Sequence, residues 1–201
     1  MAALIFVVGG AGAGKTTLAK LIAARHRTPV FDMDTLLRPA AEALMTQAGL
    51  DPNDRDSDAY KRLCRDLGYR ITMDAAFENV ALGNDAIVIG PFTKEVGDPN
   101  WLDAEFARSG TKAELVEVKV LSVYLSDEAI YKERIARRGG DLDRWKLDHW
   151  DRFKLSLARR EVAWPLPAGA VLYYDNSLEA PERAADRLES FLFGDRSRDG
   201  G

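Results

Sequence analysis

Gly9-Gly10-Ala11-Gly12-Ala13-Gly14-Lys15-Thr16 is the stretch that decides the fold. Ahead of it runs Leu4-Ile5-Phe6-Val7-Val8, a short continuous apolar run of the kind a strand buried on both faces requires. Behind it Leu18, Leu21 and Ile22 mark one face of a helix that opens at the glycines. Glycine tolerates the backbone conformations that turn successive amides toward one point, and the helix brings the positive end of its dipole to the same point. Strand, glycine loop and helix in that order predict an anion site. Gly9, Gly14, Lys15 and Thr16 fill the four fixed positions of G-x-x-x-x-G-K-[ST].

Working outward, Pro29-Val30-Phe31 reads as a second strand and Ala86-Ile87-Val88-Ile89, between Asp85 and Gly90-Pro91, as a third. Val116, Val118 and Val120 alternate with Glu117 and Lys119, and the run continues apolar to Leu125 as a fourth. Ala170 to Tyr174 is a fifth. A long helix is expected from Ser57 to Leu82, with Tyr60, Leu63, Cys64, Leu67 and Ile71 on one face. A last helix begins after Pro181 and turns Leu188, Phe191 and Leu192 to the sheet. Strands alternating with helices imply an α/β fold, a doubly wound parallel sheet with helices on both faces. Residues 1–193 read as one domain and 194–201 as a flexible polar tail.

Composition narrows the partners. The chain has 201 residues, is 46% hydrophobic and 30% charged, and carries a formal net charge of −4, which disfavours long polyanions such as nucleic acid. Its one cysteine, Cys64, makes no intrachain disulfide, and two histidines make no zinc cluster, so a reducing cytoplasm is the expected location. The apolar run at the N-terminus is too short for a bilayer and has no basic flank, so no membrane association is expected. Nothing in the sequence reads on oligomeric state.

The glycine loop suits a nucleoside triphosphate: backbone amides of Gly10, Ala11, Gly12, Ala13 and Gly14 would cradle the phosphates. Lys15 would reach the outer ones and the Thr16 hydroxyl would ligate Mg²⁺. Thr17 either touches an inner phosphate or simply starts the helix. With no Asn-Lys-x-Asp guanine-reading motif in the chain, ATP is preferred over GTP. Asp32-Met33-Asp34 follows the second strand, where alternation or a turn could direct both carboxylates to the phosphate side and Met33 away. The alternative is that one or both cap a helix beginning near Thr35.

Together, GGAGAGKT and the DMD triplet resemble the shikimate kinase, gluconate kinase and chloramphenicol phosphotransferase group of P-loop small-molecule kinases. That resemblance implies a nucleoside-kinase-like sheet of five strands in the order 2-3-1-4-5 with a helical lid. It implies that Asp32 helps hold Mg²⁺ and that Asp34 orients and deprotonates an acceptor hydroxyl. Arg134 and Arg138, spaced R-x-x-x-R, are similar to the lid-border pair of adenylate-kinase-like enzymes, with Arg134 near adenine and Arg138 on the transferring phosphate. Basic residues at a helix end favoured by its dipole are the plain alternative, for Arg137 and Arg144 above all. Gly139 and Gly140 would end that helix and hinge a lid of about 127–160. Asp175-Asn176-Ser177 resembles the adenine-side loop of the same group and reads equally as a polar turn.

The acceptor is less legible. Its site is expected from about 35–82 and 90–106, with Arg38, Arg65 and Arg70 as candidates to receive an anionic substrate. Gly90-Pro91-Phe92-Thr93 has a single glycine where shikimate kinases have a glycine-rich loop, which argues against shikimate. Trp101, Trp150, Phe153 and Trp164 read as packing residues. The expected activity is ATP-dependent transfer to a hydroxyl of a small molecule, with Lys15, Asp34 and Arg138 as the catalytic set. A polynucleotide 5′-hydroxyl or zeta-toxin-like kinase and a non-catalytic ATP-sensing module are the alternatives.

Overall fold

The computed structural model describes residues 1–55, 57–139 and 146–194, apart from the side chains of Arg138 and Ser156. Arg144, Trp145, Gly140, the side chain of Arg138 and the expected tail past Gly194 therefore lie outside the described residues. Five strands form one parallel sheet: β1 (Ala2–Val8), β2 (Val30–Asp32), β3 (Ala86–Gly90), β4 (Val116–Tyr124) and β5 (Val171–Asp175). Their order is β2-β3-β1-β4-β5, the order that the motif resemblance implies. The glycine loop follows the central strand, and in the ladders that flank it Val8 pairs with Gly90 on one side and Ser122 on the other.

Every residue of β1 is buried, which is why its sequence is continuously apolar rather than alternating. Ala3, Ile5 and Val7 point to one face, where α1 (Lys15–His26) and α8 (Pro181–Phe193) supply Leu18, Ile22, Leu188 and Leu192. Ala2, Leu4, Phe6 and Val8 point to the other, where α4 (Asp66–Ala81) and α5 (Trp101–Ser109) supply Met73, Phe77, Leu102 and Phe106. Trp164, arriving in an extended segment, completes this second face: it stacks on Trp101 at 5.4 Å and meets Phe6 edge-on at 4.9 Å. Truncating a side chain as enclosed as Leu4 or Phe6 to alanine costs about 2–5 kcal/mol.

The expected helix of Ser57 to Leu82 is three joined pieces: α3 (Asp58–Tyr60), a π-helical stretch at Lys61–Arg65, and α4. A π turn takes up extra residues, so the buried face slips by one position beyond it. Tyr60 and Cys64 are buried as the periodicity predicts, but the stripe then continues through Gly68, Tyr69, Thr72 and Met73 instead of Leu67 and Ile71. Leu63 is left 38% exposed. Gly68 sits where α4 crosses α2 (Met33–Gln47), and a β-carbon there would stand 2.8 Å from Leu37. Further helices among the described residues include α6 (Glu128–Arg138) and the short α7 (Trp150–Phe153). Among the described residues, no helix is long and apolar enough to cross a membrane.

Candidate active site

The glycine loop closes on itself through backbone geometry that only glycine adopts easily. Gly9, Gly12 and Gly14 have φ of 136°, 85° and 95°. Close neighbours add a second constraint: a β-carbon on Gly9 would lie 2.0 Å from the Val123 carbonyl oxygen, and one on Gly14 2.3 Å from Asn176 Nδ2. Gly12 faces Ile135 of α6, so that helix packs directly on the outer curve of the loop. Gly14 caps α1 and aims the helix N-terminus into the loop, and the Lys15 ammonium donates to the Gly10 carbonyl at 2.9 Å. Gly10, Ala11, Gly12, Ala13, Gly14, Lys15 and Thr16 thus form one ring of backbone with a cation across it. Thr17 is exposed on the first turn of α1.

Asp32 closes β2 and does two jobs. Its Oδ1 accepts from the Asp34 backbone N–H at 3.0 Å, capping α2, while its Oδ2 accepts from the Thr16 hydroxyl at 3.1 Å. The capping and loop-facing readings of Asp32 are therefore both present in one carboxylate. α2 begins at Met33, earlier than the helix start expected near Thr35, because Asp32 can cap it. Met33 is buried on the core side and Asp34 is exposed on the first turn. Burial pushes the Tyr60 hydroxyl above its ordinary value, Arg55 pulls it back, and the charge of Asp34 pushes it further up.

Arg134 on α6 donates to the Asn176 carbonyl at 2.8 Å and lies against Gly14. Asn176 itself ties three elements together. Its backbone N–H donates to Tyr124 O at 2.9 Å and its Nδ2 donates to Ala13 O at 2.8 Å. The residue reads in sequence only as part of a polar turn; its bond to a loop 163 positions away has no local signature. Asp175 beside it is desolvated, which favours the neutral acid. Donors from Ser126 and Ser177 outweigh that and hold the carboxyl below its usual range.

On the acceptor side the three arginines separate. Arg38 and Arg70 are exposed. Arg65 is pinned: Nη2 donates to Glu95 Oε1 at 2.9 Å, to Glu95 Oε2 at 3.1 Å and to Thr93 Oγ1 at 3.3 Å, and the guanidinium lies over the Tyr69 ring. Glu95 is buried, so Arg65 already has its counter-ion. Tyr69, whose hydroxyl is driven far up by burial and by Glu95, accepts from the Phe92 N–H at 3.0 Å. Phe92 is fully buried at φ 45°, strained for a bulky residue, and Gly90 leaves room for its ring. The lone glycine of that loop thus serves packing.

Among the described residues, a narrow cleft opens beside the glycine loop, enclosing about 20 Å³. Gly9 and Gly10 form its floor, Pro91 and Thr93 one wall, Tyr124 another, and Leu157 to Arg160 its roof. Arg159 and Arg160 escape sequence reading, because nothing before folding says that the segment after α7 returns over the first glycines.

The chain matches the AAA domain family over residues 4–159. No curated protein matches it by sequence. Among solved structures it is similar to a candidate kinase from Chloroflexus aurantiacus, at 20% identity and TM-score 0.66, covering 95% of this chain and 98% of that one. A sugar kinase from Janibacter sp. matches at 18% identity and TM-score 0.62, over 96% and 95% of the two chains. A gluconokinase from Sinorhizobium meliloti matches at 16% identity and TM-score 0.53, over 94% and 91%. At such identities the likeness establishes the fold. The glycine loop, the strand order and the extent of the family match together identify the chain as a member of the AAA domain family with a P-loop kinase fold.

Proposed function

We propose that this chain is an ATP-dependent kinase that transfers the γ-phosphate to a hydroxyl of a small molecule. The observation that carries the reading is the 3.1 Å hydrogen bond from Thr16 to Asp32, which sets a second carboxylate against the hydroxyl of the glycine loop. Binding of a nucleotide with its Mg²⁺ uses that carboxylate, and a further one, Asp34 on the first turn of α2, is what transfer to an acceptor adds. Thr16 and Asp32 are hard oxygen donors of the kind Mg²⁺ takes, so the residues present fit the ion. An ion held by Thr16 and Asp32 would supply charge neutralisation for the phosphates.

The chain's own residues account for the rest. The amides of Gly10 to Gly14 hold the phosphates, and Lys15 exchanges its Gly10 carbonyl for phosphate oxygens. Asp34, two residues past the shared carboxylate and exposed on the first turn of α2, takes the proton of the acceptor hydroxyl. The acceptor oxygen bonds to the γ-phosphorus, the bond from that phosphorus to the bridging oxygen breaks, and ADP leaves. Arg134 beside Gly14 serves the nucleotide, with Arg138 as the candidate for the transferring phosphate.

The test is to incubate the full chain with Mg²⁺ and γ-labelled ATP against hydroxylated metabolites, antibiotics and 5′-hydroxyl oligonucleotides. Label is expected on a small molecule. Tight ATP binding with label on none of them would refute the proposal in favour of a sensing module.

A further inference from the structure

The sheet ends in two edges of different character. At one, β2 has three residues and Pro29 stands just before it, so little ladder is left to offer. At the other, β5 runs Val171-Leu172-Tyr173-Tyr174-Asp175, with no proline, lysine or arginine in it and no bulge in its ladder with β4. Each of its residues is half-buried, whereas β1 and β3 are closed throughout. Bonds at its two ends fix which backbone groups β5 gives to β4: Val120 N–H donates to Ala170 O at 2.8 Å and Asn176 N–H to Tyr124 O at 2.9 Å. In a parallel ladder the inward groups then belong to Ala170, Leu172, Tyr174 and Asn176. The N–H and C=O groups of Val171, Tyr173 and Asp175 face away from the sheet and make no backbone hydrogen bond among the described residues.

An outward row of donors and acceptors is a template for another strand. The row on β5 is its own complement. Laid antiparallel about a two-fold axis at Tyr173, each Tyr173 meets its copy and Val171 meets the second copy's Asp175, so every outward N–H finds a carbonyl. The side chains agree. Leu172 falls opposite Tyr174 on one face as an apolar–aromatic pair, and the one charged residue of the strand, Asp175, falls opposite valine rather than another carboxylate. The segment that crosses beside β5 binds it through the Tyr173 side chain and not through its backbone: Val162 N–H donates to that hydroxyl at 2.9 Å, and the Arg159 guanidinium lies over the ring at 4.7 Å. Just past the strand end Leu178 is 85% exposed, a large apolar side chain without cover.

We infer that β5 is the interaction surface for a second copy of this chain, paired antiparallel through Tyr173 so that one sheet runs through both molecules. A register with its axis off Tyr173 brings fewer of the outward groups together. The surface stands at the opposite edge of the sheet from β2, whose end carries Asp32, so pairing leaves that side of the glycine loop open. The inference is independent of the kinase reading given above.

Sedimentation velocity of the full chain across the micromolar range should show a reversible monomer–dimer equilibrium. Val171→Asp sets a carboxylate opposite Asp175, a contact the two-fold axis repeats, and should weaken the dimer about fivefold or more. Val171→Lys is as polar but opposite in sign, and should weaken it less or strengthen it. A merely structural effect of a charge at 171 would move both variants alike. Oxidative cross-linking tests the register. Tyr173→Cys should yield a disulfide-linked dimer, because directly opposed residues stand about 5.5 Å apart at their α-carbons, within disulfide reach. Val171→Cys should not, since its two copies would lie about 14 Å apart, and the native Cys64 is buried. A chain that stays monomeric throughout overturns the inference and leaves the edge to a strand from another protein. A dimer indifferent to the sign of the charge at 171, or one that links through Val171→Cys and not through Tyr173→Cys, overturns it as well.

Discussion

Replacing Gly9 by alanine separates two demands that the glycine loop makes. The first is conformational: φ of 136° lies in a region that residues with a β-carbon occupy only at about 1–3 kcal/mol. The second is contact: the added carbon would stand 2.0 Å from the Val123 carbonyl oxygen, which is backbone of the neighbouring strand and cannot swing aside. Relief requires the ends of β1 and β4 to part, at a cost of roughly one ladder hydrogen bond, about 0.5–1.5 kcal/mol. The sum is about 3 kcal/mol, or about 6–12 °C in Tm for a chain of this size. Gly110→Ala is the control, because φ is 70° there and a β-carbon meets nothing within 4 Å. Only the left-handed penalty applies, about 1 kcal/mol and about 2–4 °C. Differential scanning calorimetry of both variants decides the matter. Equal losses in the two, or a Gly9→Ala chain melting within about 2 °C of wild type, would refute the contact argument.

Four further outcomes are expected. Asp34→Asn should cut label transfer by about 10²–10⁴-fold while a fluorescent ATP analogue binds within a few-fold of wild type, since the side chain is exposed and caps nothing. Asn176→Ala removes the donor to Ala13 O and should cost about 1–3 kcal/mol in urea unfolding, with weaker ATP binding measured by calorimetry. Glu95→Gln leaves Arg65 without its counter-ion in a largely enclosed setting and should cost about 2–4 kcal/mol by the same unfolding assay. Ser177→Ala removes one of the donors that depress Asp175, its hydroxyl, so carboxyl NMR should find the titration moved partway upward. The sign follows from the depressed carboxyl: its contribution is present above the unfolded value and is lost as pH falls through the folded one, so acid unfolding of the variant should lose part of that segment of its pH dependence.

The parts of the molecule that sequence conveys are those whose determinants are contiguous. The loop from Gly9 to Thr16 carries its own conformational demands and the run before it marks a strand buried on both faces, while the strand order came from the motif resemblance. Asp32 also announces itself, because a carboxylate at a strand end beside a helix start has few places to point. What escaped depends on distant partners. Arg65 looks like a free cation until Glu95, 30 residues on, folds beneath it. The buried stripe of the long helix slips by one residue at Lys61–Arg65, and no periodicity argument marks where a π turn will fall. Arg159 and Arg160 look alike as neighbours; only the folded chain gives one of them two aromatic rings and a glutamate.

Asn176 has a consequence beyond holding the loop. One residue bonds the end of β4, the carbonyl of Ala13 and, through its own carbonyl, Arg134 on α6. Occupancy of the loop and the docking of α6 are thereby written into a single free-energy cycle. Reciprocity then applies: whatever factor a bound phosphate chain adds to the docking of α6, a docked α6 must return to the affinity for that chain. Amide hydrogen exchange in α6, read as a function of nucleotide concentration, would report the strength of that exchange between neighbours in a common currency.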